Sequence, residues 1–271
     1  MKIQILSDLH DEISHTEEPF ENPGADVLVL AGDIDRGDCG IRQYGILAQE
    51  MGIPCIYVAG NHEYYGSEYG ATLELLRKTA QEFRVHFLER DAVVIDGVRF
   101  LGATLWTDFA GLGNSERERA MTAAARYIND YRRIAVRAGN RNRVLRPKDT
   151  KVWHAEARQW FQDELARDFP GPTVVVTHHG PSPKCHDYER HGAPDPISVS
   201  FWSNLEGLID PARVSAWIYG HTHSNLRFEI NGVPVVTNQR GYPGELDPDQ
   251  GYDPGYTIEI LGPRPASFPR V

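Results

Sequence analysis

Five short apolar runs in this chain each end in a cluster of side chains able to ligate a metal. Ile3-Gln4-Ile5-Leu6 runs into Ser7-Asp8-Leu9-His10, and Val27-Leu28-Val29-Leu30 into Gly32-Asp33. Ile56-Tyr57-Val58 precedes Gly60-Asn61-His62-Glu63, Val174-Val175-Val176 precedes Thr177-His178-His179, and Trp217-Ile218-Tyr219 precedes Gly220-His221-Thr222-His223. Each run has the length and β-branched content of a buried strand, so each polar cluster sits where a strand leaves its sheet. In open α/β sheets that carboxyl edge is where ligands bind. The pattern therefore predicts one site assembled from five strand ends, with the residue types of a metal centre.

Because the clusters run from Asp8 to His223, no cut between them leaves a complete site, and residues 1–271 are expected to form a single domain. The net charge of −10, from 28 Lys and Arg against 38 Asp and Glu, argues against a protein that coats duplex nucleic acid. A local exception lies between Asn114 and Lys151, where eleven basic residues face four acidic ones, a segment of +7 that leaves −17 for the remainder. Cys39, Cys55 and Cys185 form no CxxC pair, which suits free thiols in a reducing compartment. The first strand begins almost at Met1, and no run approaches the roughly 18 apolar residues of a membrane span. A cytoplasmic protein without a membrane partner is the expectation.

Strand alternates with helix or loop up to about Glu89. Asp96-Gly97 then forms the two-residue turn of a hairpin between Val93-Val94-Ile95 and Val98-Arg99-Phe100-Leu101, and Asn231-Gly232 that of a second hairpin between residues 226–230 and 233–236. From Ser115 to about Phe169 no strand-like run occurs, so helices with a polar break around Gly139 to Pro147 are predicted. A last strand, Tyr256 to Ile260, precedes a Pro-rich tail. Gly180 to Pro196 reads as a long irregular loop that leaves from His178-His179 and so overhangs the site.

Taken in order, Asp8-x-His10, Gly32-Asp33, Gly60-Asn61-His62-Glu63, His178-His179 and Gly220-His221-Thr222-His223 resemble the motif set of the calcineurin-like metallophosphoesterases. The resemblance spans most of the chain, and five blocks in the family's order are far more specific than any one of them. It implies a four-layer α/β/β/α sandwich with two mixed sheets and a dinuclear metal site at the strand C-terminal edge. One divalent ion would be held by Asp8, His10 and His223 and the other by Asn61, His178 and His221, with Asp33 bridging them. His62 would protonate the leaving oxygen of a phosphate ester, a task suited to an imidazole whose ordinary pKa is near 6.5. Of the His178-His179 pair, family usage points to the first. Gly32 to Gly37 also resembles the Gly-Asp-x-x-Asp-Arg-Gly stretch of the protein Ser/Thr phosphatases, one residue shorter, which would give Asp35 the orienting of the catalytic His and Arg36 a phosphate contact.

Imidazole and carboxylate ligands suit Mn²⁺, Fe²⁺/Fe³⁺, Zn²⁺ or Ni²⁺. Two divalent ions with two ligating carboxylates keep a charge of about +2, or about +1 with a bridging hydroxide, and such a centre attracts an anionic ester while lowering the pKa of bound water to about 7. Metal-dependent hydrolysis of a phosphomonoester or phosphodiester is the expected function. The alternatives are a nuclease acting on single strands, for which the +7 segment would supply the groove, and a non-catalytic binding module on the same fold.

Other residues have plainer readings. His15, His86 and His154 suit the surface or the packing, Trp106 with Asp108 a core aromatic with its cap, and Arg240 a phosphate contact beside Asn238 and Tyr242. His186 and His191 lie on the overhanging loop, within reach of substrate. The basic helical segment, about 114–169, is either a solvated face or a lid whose arginines, Arg132 and Arg133 among them, clamp the substrate.

Overall fold

The computed structural model describes residues 1–14, 21–245 and 251–262. His15 and the Pro-rich tail from residue 263 lie outside them. One five-stranded sheet runs in the order β13-β1-β2-β3-β4, from Thr257–Glu259, Lys2–Leu6, Val27–Ala31, Cys55–Val58 and His86–Phe87. The second, six-stranded, runs β11-β12-β10-β9-β6-β5, from Phe228–Ile230, Val233–Val236, Ala216–Ile218, Thr173–Thr177, Val98–Ala103 and Asp91–Ile95. Both are mixed. β1, β2, β3 and β4 are mutually parallel with β13 antiparallel at the edge, while β6, β9, β10 and β12 are parallel, flanked by antiparallel β5 and β11.

The strands are apolar on both faces because both faces are covered. In β2, Val27, Val29 and Ala31 pack with Ile3, Ile5, Ile56, Phe100, Val174 and Ile218, residues of both sheets, so this face looks inward at the second sheet. Leu28 and Leu30 point the other way, into a cluster with Ile41, Tyr44, Ala48 and Leu76. Those come from α1 (Cys39–Met51) and α2 (Tyr69–Glu82), and in α1 the spacing 41, 44, 45, 48 is one helical stripe. On the far side Leu101, Val175 and Trp217 meet Ala157, Phe161 and Leu165 of a long helix, Pro147–Ala166. Successive strand residues facing opposite sides thus generate the helix, sheet, sheet, helix layering that was expected.

Both predicted hairpins form, with Asp96 and Gly97 at φ 47° and 79° and Asn231 and Gly232 at 54° and 81°, the positive values that a twisted two-residue turn requires. The region after Ser115 differs from expectation. Helices α3 (Arg117–Tyr127), α4 (Asp130–Arg133) and α5 (Pro147–Ala166) are present, but the predicted polar break contains an antiparallel hairpin, β7 (Ala135–Ala138) with β8 (Arg141–Val144). No apolar alternation marks it, since only Ile134, Val136 and Leu145 are buried there. Tertiary hydrogen bonds hold it instead: the Ala135 amide donates to Ser67 O at 2.9 Å and that of Arg137 to the Glu68 carboxylate at 3.1 Å. All three cysteines are free thiols, and no described helix is long and apolar enough to cross a membrane.

Phe161 carries α5 onto the second sheet, fully buried with its ring centroid 5.8 Å from that of Trp217. Phe161→Ala is expected to cost about 3–5 kcal/mol in equilibrium denaturant unfolding. A loss below about 1 kcal/mol, the range of a surface substitution, would contradict this packing.

Candidate functional site

All five predicted clusters lie at the C-terminal ends of parallel strands, β1, β2 and β3 of one sheet and β9 and β10 of the other. The chain turns sharply there. Asp8, His10, Asp33, His221 and His223 all have positive φ, between 46° and 71°, a region costly for residues with a Cβ. Backbone bonds across strands fix the turns, with the Asp8 amide donating to Gly32 O at 2.9 Å and the His10 amide to Asp33 O at 3.0 Å. Gly32 and Gly60 must lack side chains, because a Cβ on either would strike His178, and one on Gly60 would strike Asp33 as well.

These turns bring the buried side chains into two converging sets. Asp8, His10 and His223 offer ligand atoms within 4.8 Å of one another, and so do Asp33, His178 and His221. Asn61 Oδ1 joins the second set, 3.1 Å from His178 Nε2. Asp33 stands between the two, with Oδ1 3.5 Å from His178 and Oδ2 3.9 Å from His10 Nε2. Inner imidazole nitrogens face each other, His10 Nε2 and His223 Nε2 at 3.0 Å and His178 Nε2 and His221 Nδ1 at 3.1 Å. Outer nitrogens meet acceptors: His10 Nδ1 lies 3.2 Å from Glu12, His223 Nδ1 2.6 Å from Glu245 and His178 Nδ1 2.9 Å from Ala31 O. Donation outward leaves the inward lone pairs free for a cation, the outer-shell arrangement of metal-ligating histidines. The donor set, nitrogen and oxygen without thiolate, fits a pair of divalent ions.

The carboxylates also set the local charge. Asp33, though buried, is held well below the usual carboxylate range by His178 and His62. Burial disfavours charge on His178 and His223, but Asp33 lifts the first to about 9, and Asp8 with Glu245 lifts the second to about 10. The same lone pairs that attract protons attract metal, so loading the centre releases protons.

His62 sits beside both sets, its Nε2 3.9 Å from Asp33 Oδ2 and 3.1 Å from the Tyr242 hydroxyl. Its Nδ1 meets Glu12 Oε1 at 2.7 Å, and Tyr65 stacks on the ring with centroids 4.1 Å apart. Glu12, drawn down to about 2 by His10 and His62 in spite of burial, is ionised. Sequence reading missed Glu12, which lies just past a quoted motif; it missed Glu245 and Asp130 too. Asp130 Oδ1 accepts from Asn61 Nδ2 at 2.8 Å and from the Tyr65 hydroxyl at 2.7 Å, turning the amide so that its oxygen faces the cluster. No motif announces it, since it comes from a distant helix.

Other expectations fare differently. The orienting partner of His62 is Glu12, and Asp35 accepts from the Arg36 amide at 2.6 Å. Arg36 is exposed and Arg240 is bound to Asp11 at 3.0 Å and Ser14 O at 2.7 Å; neither lines the cavity over the cluster. His179 bonds Thr104 O at 3.1 Å, and it is His178 that enters the donor set. His154 is buried against Leu105 O and Trp106 O, His86 is partly buried, and Trp106 packs among Tyr64, Tyr69 and Trp153 while Asp108 caps the Ala110 amide. Asn238 is buried and ties Ile5 O to Asp253 O. The loop after His179 does overhang, and His186 and His191 line a cavity of about 520 Å³ above His62 and the donor cluster. From the 114–169 segment only Tyr127 to Asp130 reach that cavity; among the described residues none of its arginines does.

The sequence profile described as calcineurin-like phosphoesterase matches residues 1–225. An uncharacterized protein of Acanthamoeba polyphaga mimivirus is 28% identical over 246 residues, covering 86% of this chain and 83% of its own. Among solved structures, the phosphopantetheinyl hydrolase of Mycobacterium tuberculosis superposes with a TM-score of 0.73 at 20% identity, over 99% of this chain and 98% of that one. A dimetal phosphatase from Danio rerio gives 0.48 at 15% identity, over 88% and 87% of the two chains.

In the metal-free protein, burial lowers the His62 pKa while Asp33 and then Glu12 raise it, with a net upward shift. Glu12→Gln removes one anion beside the imidazolium and is expected to lower that pKa, so that His62 loses its proton at a lower pH. Titration of the His62 ring protons by NMR reads this directly; an unchanged or higher value would mean that Glu12 does not hold the ring.

Proposed function

The chain belongs to the calcineurin-like phosphoesterase family and is a phosphoric ester hydrolase, and from that premise we propose a dinuclear site with His62 as proton donor to the leaving group. The observation that supports this reading is the convergence of Asp8, His10 and His223 on one side and His178, His221 and Asn61 on the other, with Asp33 between them on the floor of a cavity. Two divalent ions held there would supply charge neutralisation and activated water for attack on phosphorus. The protein's own groups do the rest. His62 carries a proton on the cavity side at Nε2 while Glu12 fixes the ring through Nδ1 and favours the protonated form. Stacked on the same ring, Tyr65 restricts it to one orientation, and Tyr242 places a hydroxyl beside the nitrogen that would deliver the proton.

The substrate range is tested with the stripped protein reloaded with Mn²⁺, Zn²⁺, Fe²⁺ or Ni²⁺. p-Nitrophenyl phosphate, bis-p-nitrophenyl phosphate and a 4′-phosphopantetheinyl ester form the panel, the last because of the phosphopantetheinyl hydrolase that shares the fold. Turnover is expected only with metal. His62→Ala is expected to retain both ions and to lose about 10²–10⁴-fold in kcat, the range of general acid catalysis. Full kcat in that variant would remove the proton-donor role, and Asp33→Asn with undiminished metal content would remove the bridging role.

A further inference from the structure

The cavity wall is asymmetric in a way that bears on substrate. Its deep end is the donor cluster, which with two divalent ions carries net positive charge. Beside and beyond the cluster, Tyr65, Tyr127, Ile128, Ile197, Phe201 and Trp202 form an apolar wall. Phe201 reaches the cluster itself, its ring centroid 4.9 Å from that of His221. Asp187 and Asp195 line this wall beside His186 and His191; Asp130 is buried against Asn61 and Glu245 is paired with His223 at 2.6 Å and Arg190 at 3.7 Å, and among the described residues no Lys or Arg lines it. Asp187 Oδ1 is held by the amides of Glu189 and Arg190 at 3.1 and 3.0 Å, and Asp195 Oδ1 by those of Ile197 and Ser198 at 2.9 and 2.8 Å. These bonds hold both carboxylates in place.

The nearby cations Arg190 and Arg133 do not line the cavity. Arg190 donates to His223 O at 2.7 Å and to Glu245 O at 2.9 Å, and Arg133 lies over the Tyr65 ring at 5.4 Å. Recognition of a second anionic group needs donors such as the arginine fork. Here such a group would meet carboxylates instead, Asp187 half-buried and Asp195 exposed at the rim, and like charges repel.

Resting on the phosphoester reading of this same site, we propose that the substrate is a phosphate ester whose only anionic group is the scissile phosphate, with an uncharged or cationic, largely apolar remainder. Esters bearing further anionic groups, polyphosphates and nucleic-acid strands among them, are rejected by the wall. The reading opposes a nuclease: the basic residues that suggested one lie outside the cavity lining.

A matched pair tests this on the metal-loaded protein. p-Nitrophenyl phenyl phosphate and p-nitrophenyl 4-carboxyphenyl phosphate release the same phenolate and differ by one carboxylate remote from phosphorus. The carboxylated ester is expected to show a kcat/KM lower by about tenfold or more, and a 4-aminomethyl counterpart no loss. Raising the salt concentration should narrow the gap, as should Asp187→Asn with Asp195→Asn. Equal or faster turnover of the carboxylated ester by the wild-type protein overturns the proposal, whatever the variants do. If neither ester turns over with any metal, the hydrolytic reading fails separately, and calorimetric titration with diphenyl phosphate and 4-carboxyphenyl phenyl phosphate still decides: weaker binding of the second upholds the selectivity, and equal binding ends it.

Discussion

The Glu63 carboxylate, fully buried, accepts the Tyr57 hydroxyl at 2.7 Å and the amides of Gly60, Ile34 and Asp33 at 2.8, 3.1 and 3.2 Å. One side chain thereby ties the end of β2 to the end of β3 and forces the turn that puts Asp33 at φ 54°. Asp33 Oδ1 then accepts the His62 amide at 2.8 Å, so the central carboxylate and the imidazole beside it are placed by the same knot. Burial and the neighbouring Asp33 push Glu63 up to about 7, a sign of how much opposes the arrangement. Five non-glycine residues at positive φ add costs on the order of 1–3 kcal/mol each. Hydrogen bonds to charged groups, at about 1.5–3 kcal/mol each, are of a size to offset them.

Around that knot the site repeats one device. A carboxylate stands behind several of the functional side chains and fixes their orientation: Glu12 behind His10 and His62, Glu245 behind His223, Asp130 behind Asn61. Asp8 accepts the His221 amide on both oxygens at 3.0 Å, linking the last strand end to the first. The two sheets are thereby joined at their C-terminal edge by the same groups that form the donor cluster. Binding of cations and cohesion of the sheets are thus coupled properties of this edge.

Charge separates the site from its surroundings. The molecule carries −10 overall, and its cavity wall is apolar and acidic, so affinity for an anion is confined to the donor cluster. The overhanging loop supplies Asp187, at the start of the short helix Tyr188–His191, and Asp195, and the turn Ser198–Ser200 that follows the loop leads into Phe201. Reaction type and substrate selection therefore reside in different parts of the chain, the first in strand ends and the second in a connection.

Much of the fold was legible in the sequence because buried parallel strands write themselves as short β-branched runs, and a ligand at a strand end follows its run directly. Asp8, His10, Asp33, Asn61, His178, His221 and His223 stand in such clusters, and the family resemblance singled them out as ligands; the two hairpins were marked by their Asp-Gly and Asn-Gly turns. Periodicity is a local signal, however, and the supporting groups are not local. Asp130 reaches Asn61 across 69 positions of chain, and Glu245 reaches His223 across 22. The hairpin at Ala135–Val144 escaped notice because its amides are held by the Ser67 carbonyl and the Glu68 carboxylate, and an apolar pattern does not hold it. Arg240 was expected as a phosphate contact from its place after the last hairpin, and the basic segment as a solvated face or a lid; Arg240 bonds Asp11, and none of the segment's arginines lines the cavity. The sequence by itself determined the strand runs and the polar clusters at their ends, since both depend on residue type at fixed spacing, and the family resemblance of those clusters implied the layers and the ligand set. Only the tertiary structure decided which carboxylate stands behind which imidazole and which charges face the substrate, because direction in space is set by contacts between segments far apart in the chain.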